Sequence, residues 1–312
     1  EKIEDISLDD VISILLSGKK AITITTLASI VISLLVAFSM NNYYKSSAIL
    51  TINNNDSQSM GLSPGISNLA SIAGISLPNS ASEDRAALVI ETIMTRDFLK
   101  HILSIKDVLP ELVASESYDG ATGKLSFNNN IYDPNSKSWS WDGPSDEDQK
   151  PSLLYTHNVY LDEILTIDQD RETAFIHIGV EHLSPVFAKE FLAMIINEAN
   201  NLMRERDLKE ATNALNYLEK ELGNTSLIEI KTSINSIIQS QLETKMIANI
   251  RDDYLLRTIE PPFIPEKKSK PSRSLILILG TILGFLLSIF YLLIQNFKSS
   301  FLSYEQKNTE IE

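Results

Sequence analysis

No cysteine occurs among the 312 residues, and that absence removes both a disulfide framework and a thiolate metal site. It fits any compartment and selects none. Basic residues are also few. The 27 Lys and Arg stand against 41 Asp and Glu, a net charge of -14 that argues against nucleic acid, whose phosphates demand a basic face. Of the four histidines, His177 and His182 lie close in sequence, but no carboxylate cluster joins them in a metal-ligand pattern, so both are expected to be structural. A Gly-x4-Gly-Lys-Ser/Thr phosphate loop, a Gly-x-Ser-x-Gly elbow and a His-Glu-x-x-His pair are all missing. Glu219, Glu221, Asp252 and Asp253 have the setting of solvated helix faces and ends. The expectation is a protein that is not an enzyme, with no catalytic residue, cofactor or metal. The chain opens on Glu1 rather than methionine, and its true start is taken to lie upstream.

Charge is absent altogether from two long stretches. Ala21 to Met40 and Leu275 to Phe297 are uncharged over about the length of a bilayer span. A signal-peptide core is shorter than the first, and a soluble core helix carries a polar stripe that the second lacks until Gln295 and Asn296. Two spans put both termini on one side and the intervening chain on the other. Lys19 and Lys20 before the first span favour a cytoplasmic N-terminus, although Lys267, Lys268, Lys270 and Arg273 give the second span the opposite bias. The first helix usually dominates. The division expected is a tail at 1–20, a span at 21–40, a periplasmic domain at 41–273, a span at 274–297 and a tail at 298–312.

Within the large loop, "YYKSSAILTINNN" is rich in β-branched and aromatic residues and ends in turn formers, the composition of a strand. "SQSMGLSPGISNLASIAGISLPNSAS" is a small-residue loop punctuated by Pro64 and Pro78. Ser80 and Glu83 have capping-box spacing before a helix with apolar Leu88, Ile93, Phe98, Leu99 and Ile102. Residues 107–152 look irregular. Trp139 and Trp141 there have the composition of a sugar-stacking platform, but a loop pinned by aromatics is the simpler expectation. "RETAFIHIGVEH" alternates as a half-buried strand does, following "YLDEILTIDQD" across a turn at Gln169 to Arg171.

Ser184-Pro185 is a cap residue followed by proline at the first helical position. No glycine or proline then interrupts the chain before Gly223. A helix of that length spans roughly 55 Å at about 1.5 Å per residue. Its narrow apolar stripe and polar middle, "NEANNLMRERDLKEATN", suit a partner helix better than a broad core. Gly223 and Asn224 mark a stop, Ser226 and Glu229 a second capping box, and a second helix runs to about Asp252. The arm is therefore expected over 184–252, on an α/β base formed mainly from 41–183 and 253–260. "DYLLRTIE" closes that base as a strand. The fold class expected is an α+β membrane protein: two transmembrane helices flank a periplasmic domain with a mixed α/β base and a long helical arm.

Between base and second span, 261–273 form a basic, proline-rich collar. Pro261, Pro262, Pro265 and Pro271 restrict φ and favour extended backbone, the property of a semi-rigid spacer. Lys267, Lys268, Lys270 and Arg273 suit the headgroup level of a membrane. Gly280 and Gly284 make a small-xxx-small face for close approach of another helix, which the sequence leaves open as the first span, a neighbouring subunit or a partner protein.

Two terminal spans, a long helix before the second of them, Pro262-Phe263-Ile264-Pro265, Pro271 and the span glycines together resemble the Wzz-type chain-length determinants, the class 1 polysaccharide co-polymerases. "ISLDDVISILLSGKK" and "NYYKSSAIL" are similar to that family's N-terminal region. The chain departs at the Ser-Pro-Lys element, where Lys270 and Ser272 stand in reversed order, and its glycines lie earlier in the span. The resemblance implies a non-enzymatic inner-membrane regulator of lipopolysaccharide O-antigen or a related glycan in a Gram-negative bacterium. It implies a homo-oligomer acting with a Wzy-type polymerase on a growing lipid-linked polysaccharide. Two alternatives remain open at this point: capsule or exopolysaccharide export with a separate kinase, and a two-span sensor.

Overall fold

The computed structural model describes residues 18–53, 81–145 and 149–309. The chain divides into two compact units, Tyr43–Lys268 and the terminal segments Glu1–Asn42 with Ser269–Glu312. The expected capping box at Ser80 and Glu83, the Pro64–Pro78 loop and "ISLDDVISILLS" lie outside the described residues or side chains.

The terminal unit contains helix α1 (Lys19–Ser39) and, at the other end of the chain, helix α8 (Arg273–Thr309). Both are long and apolar enough to cross a membrane. Few of their residues are buried, and Leu27, Leu34, Leu35, Leu279, Leu283 and Leu287 all face outward. Soluble core helices hide such residues; these display them. Helix α8 continues without a break through the segment expected as a tail from Lys298.

In the central unit the sheet is antiparallel. Strand β1 (Tyr44–Ile52) lies between β7 (Ile176–His182) and β8 (Leu256–Glu260), and β6 (Leu165–Gln169) pairs with the far side of β7. The alternation in β1 is the expected one: Ser46, Ala48, Leu50 and Ile52 point into the core. Strand β7 differs from its expected half-buried pattern. His177 is exposed, but Gly179, Val180, Glu181 and His182 are buried on both faces. The cause is local. Lys45, opposite Glu181 in the register, lays its side chain over Gly179, where an added Cβ would come within 2.6 Å of Lys45 Cε.

The helix expected after residue 80 is broken. Helix α2 (Ala81–Ile93) gives way to α3 (Arg96–Ile105), because the Thr95 side chain accepts a hydrogen bond from the Phe98 amide and starts a new helix. Val89 is fully buried, whereas Leu88, expected on the core face, is 39% exposed. Residues expected to be irregular form α4 (Leu109–Val113), a hairpin of β2 (Ser115–Asp119) and β3 (Lys124–Phe127), and a short ribbon of β4 (Tyr132–Asp133) and β5 (Ser138–Trp139). Helix α5 (Leu153–Val159) runs into a π-turn over Tyr160–Ile164 that delivers the chain to β6.

The two long helices are α6 (Pro185–Asn224) and α7 (Ile228–Ile250). Ser184 caps α6 through the Phe187 amide, as its sequence predicts. The helix has two different halves. Its first half buries a broad face, with Phe191, Leu192, Ile195, Ile196, Ala199 and Met203 against the sheet and α3. Only its second half shows the narrow stripe, Ala211, Leu215 and Leu218, suited to a single partner helix. The stop expected at Gly223 and Asn224 is where α6 ends: Asn224 is its last residue and Thr225 turns extended (φ -96, ψ 141). The second capping box also fails to form. Leu227, not Ser226, occupies the N-cap of α7 and gives no side-chain cap.

Candidate functional site

Helices α1 and α8 run antiparallel, since Gly18 lies by Leu292 while Phe38 and Asn42 lie by Arg273. Between these ends the contact is made of small residues. A Cβ on Gly280 would collide with the Ser33 hydroxyl, and one on Gly284 with the Ser29 side chain. That closeness lets Ser29 Oγ donate to the Gly280 carbonyl across the pair at 2.7 Å. Interhelical hydrogen bonds of this kind depend on backbones that approach closely. Of the three partners the sequence left open, the first apolar helix is the one against Gly280 and Gly284.

The four prolines and four cations of the collar are shared between the two compact units. The division between the compact units falls after Lys268. Pro261 and Pro262 directly follow β8, where they supply no amide to continue its ladder. Ser46 Oγ then donates to the Phe263 carbonyl at 2.7 Å, so the extended chain stays fastened to β1 beyond the end of β8. Pro265 is buried, while Phe263 and Ile264 on its N-terminal side are 44% and 49% exposed. Lys267 is exposed and Lys268 half-buried. Beyond the boundary Lys270 is exposed and its peptide to Pro271 is cis. Arg273 differs from the other cations. Its guanidinium sits 4.6 Å from the centre of the Phe38 ring and donates to Asn42 Oδ1 at 3.2 Å. It therefore ties the first turn of α8 to the last turn of α1.

A further constellation, undetected from the sequence, holds the base of the arm. Asn200, Arg204 and Asp207 are spaced i, i+4 and i+7 on α6 and so share one face. Asn200 is 4% exposed. Its Oδ1 accepts from the Leu255 and Leu256 amides at 3.0 and 2.7 Å, and its Nδ2 donates to the Leu256 carbonyl at 2.9 Å. Arg204 donates to the carbonyls of Arg251 and Asp252, a cation placed at the C-terminal end of α7 where the helix dipole favours it. Asp207 accepts from the Tyr254 hydroxyl and pairs with Arg85 of α2. Burial, with the Asp207 carboxylate beside it, pushes the Tyr254 phenol well above its ordinary range. The segment returning from the arm to β8 is thus gripped residue by residue.

His182 is structural, as the sequence predicts. Its Nε2 donates to the Glu111 carbonyl at 2.9 Å while Nδ1 accepts from the Ser184 amide at 3.0 Å, an arrangement only the neutral ring satisfies. Burial lowers its pKa from 6.5 to about 4, against the opposing pull of those hydrogen bonds. The unfolded chain therefore binds a proton more readily than the native one between these values. Its stabilising contribution is complete above pH 6.5 and is lost as pH falls towards 4, and the loss from this group at pH 5 is about 2 kcal/mol. Urea midpoints of the wild-type chain and H182Q at about pH 7.5, above the window, and about pH 5, within it, check this. The acid-induced loss should shrink in H182Q; an unchanged loss would remove His182 from the explanation.

The tryptophans are pinned by aromatics. The Trp139 ring lies 4.8 Å from Tyr132, and Trp141 lies 4.7 Å from Tyr155 while its indole N–H donates to the Pro144 carbonyl. Between α3 and α6, a cleft of about 150 Å³ is lined by His101, Glu198, Asn201, Leu202, Arg204 and Glu205. Small-molecule pockets are typically about 300–1,000 Å³, and this cleft is below that range.

The chain thus comprises an α+β unit in which α6 holds the segment leading to β8, and a separate unit of two apolar helices packed on each other through small residues. Residues 4–104, about a third of the chain, match the model of the family described as Wzz, chain length determinant protein. Comparison with curated proteins gives no match. Solved structures similar to the chain include a full-length bacterial polysaccharide co-polymerase, at 12% identity over 94% of this chain and 99% of that one, with a TM-score of 0.40. Another is a fragment of WzzB, a polysaccharide co-polymerase from Salmonella Typhimurium, at 12% identity over 73% of this chain and 100% of that one, with a TM-score of 0.32.

Proposed function

We propose that the chain is a non-enzymatic regulator of polysaccharide chain length, held in the inner membrane of a Gram-negative bacterium by α1 and α8, with Tyr43–Lys268 in the periplasm. The observation that carries this reading is the match of residues 4–104 to the chain length determinant family. The outward-facing apolar residues of α1 and α8 support the membrane assignment, because water would penalise them and hydrocarbon would not. Arg273, placed between Phe38 and Asn42, supports a pair of spans held at one edge by a cation that resists entering hydrocarbon. Lys267 and Lys270, both exposed, are suited to a headgroup level, whereas the Lys268 ammonium is buried.

The regulated product is O-antigen or a related surface glycan, and the partner is a Wzy-type polymerase extending a lipid-linked polysaccharide. Homo-oligomerisation belongs to the same proposal. Leu242, Met246 and Ile250 recur every four residues on α7 with 47%, 61% and 74% of their surfaces exposed, a stripe that a second copy of the chain is suited to cover. In this account the arm and base set the spacing of copies and the chain forms no glycosidic bond.

Deleting the gene in its native host tests the proposal. A clustered ladder of surface lipopolysaccharide on a gel should collapse to an unregulated short distribution, and complementation should restore the cluster. A ladder unaffected by deletion would send the chain to capsule export or sensing.

A further inference from the structure

We infer that the outer edge of β8 is closed to a further strand, with Asn200 blocking one end of it and Pro261–Pro262 the other. Copies of the chain can then meet without joining their sheets. This is a property of the fold and does not depend on the polysaccharide reading. An edge strand presents a row of unpaired amides and carbonyls, a ready template for a strand of another copy. β8 is such an edge: it pairs with β1 on one side, and among the described residues no strand lies on the other. Its composition adds to the hazard, because Thr258 and Ile259 are β-branched and Ile259 is 47% exposed.

The first obstacle is a side chain. The Asn53 amide donates to the Leu255 carbonyl across the β1–β8 pair at 2.7 Å. Bonded and non-bonded residues alternate along an antiparallel ladder, so both polar groups of Leu256 turn away from β1. There the Asn200 carboxamide meets them. Its Oδ1 accepts from the Leu256 amide at 2.7 Å and its Nδ2 donates to the Leu256 carbonyl at 2.9 Å. Those are the two bonds a neighbouring strand would make, and one side chain of α6 makes them instead.

The same alternation turns the polar groups of Thr258 outward, but beyond them the ladder is interrupted. Thr258 pairs with Leu50 and Glu260 with Ile49, which leaves Ile259 as an extra residue, a β-bulge that twists the edge. Pro261 and Pro262 follow, neither with an amide to offer. What keeps a regular outward position is the pair of groups on Thr258, between the exposed charged residues Arg257 and Glu260. Strands in folded proteins run to at least about three residues, so a single residue offers too little to pair with. Charge, bulge and proline are each a device that edges use against pairing, and β8 carries all three beside the Asn200 cover. A chain that assembles with its own copies has particular need of them, since assembly concentrates identical edges.

The lack of cysteine allows a single spin label at I259C on the full chain in detergent. Paired strands lie about 4.8 Å apart, so pairing of β8 between copies would broaden the spectrum by dipolar coupling. The closed edge predicts no such broadening with the native prolines. In P261V/P262V, which restores two amides, broadening should appear and should vanish on dilution with unlabelled P261V/P262V chain. Broadening already present with the native prolines would make β8 an interface between copies, and would overturn the inference. Its absence from a P261V/P262V chain with native circular dichroism would mean that the prolines do not close the edge, and would overturn it equally. If P261V/P262V does not fold, amide exchange of the unaltered chain, read residue by residue by mass spectrometry, decides the matter. Relative to their intrinsic rates, the Leu256 amide should exchange at least about tenfold more slowly than that of Thr258, the order expected of one hydrogen bond. Equal protection of the two amides, high or low, would overturn the inference.

Discussion

Replacing Gly280 and Gly284 together by leucine is expected to part α1 from α8 and abolish control of polysaccharide length. Each new side chain would occupy space now filled by Ser33 or Ser29. Overpacking costs on the order of 1–3 kcal/mol per site. An interhelical bond such as that from Ser29 to the Gly280 carbonyl is worth only about 0.6–2 kcal/mol. Two collisions therefore outweigh the attraction they displace, and the pair should separate rather than absorb them. Cysteines introduced by G18C and L292C, at the neighbouring ends of the helices, report the separation by disulfide formation in native membranes. Cross-linking should be lost in the double leucine variant together with the modal cluster of glycan lengths. Retention of both would mean that the close approach is incidental.

The second large effect is expected at Asn200. Substituting leucine leaves the Leu255 and Leu256 amides and the Leu256 carbonyl without their present partner. A buried polar group without a partner costs about 1–3 kcal/mol. Three of them make a loss of about 4 kcal/mol a conservative expectation, or about 10 °C in melting temperature for a unit of this size. N201A, one residue further on an exposed side of α6, should fall within about 0.5 kcal/mol of wild type. Thermal unfolding of the detergent-solubilised full chain, followed by circular dichroism, separates the two. Equal melting temperatures for N200L and N201A would show that β8 is held by its ladder with β1 alone.

These two sites differ in how visible they are in the sequence. Gly280 and Gly284 stand out because glycine spaced by four in an uncharged run has a direct physical meaning, close helix approach. Their partner was not legible, since Ser29 and Ser33 are common residues whose register against α8 exists only once the helices pair. Asn200 did leave a signal. Following Leu192 and Ile196 on the buried side of α6, it occupies a position where the pattern calls for an apolar residue. A polar residue there needs a buried partner, but the partner, the backbone of Leu255 and Leu256, carries no side-chain signature.

The strands β1, β7 and β8 and the start of α6 follow from composition, alternation and the Ser184-Pro185 cap. The β2–β3 hairpin was missed because its strands are mostly polar and half-exposed, so no alternation marks them. Its turn was the available clue: Asp119 accepts from the Ala121 amide, and Gly123 adopts φ +69, a conformation that favours glycine. The end of α6 was legible: Gly223 and Asn224 mark the stop, and Asn224 is the last helical residue. At Thr95, by contrast, a strong local cap divided what periodicity had joined.

The central claim is that the chain regulates polysaccharide length without building the polymer. Native-host membranes with and without the chain, supplied with a radiolabelled repeat-unit precursor, test it when total incorporation and length distribution are measured together. The account predicts equal total incorporation in both, with a modal cluster of lengths only where the chain is present. If incorporation itself stops without the chain, or the distribution is the same in both membranes, the account is contradicted.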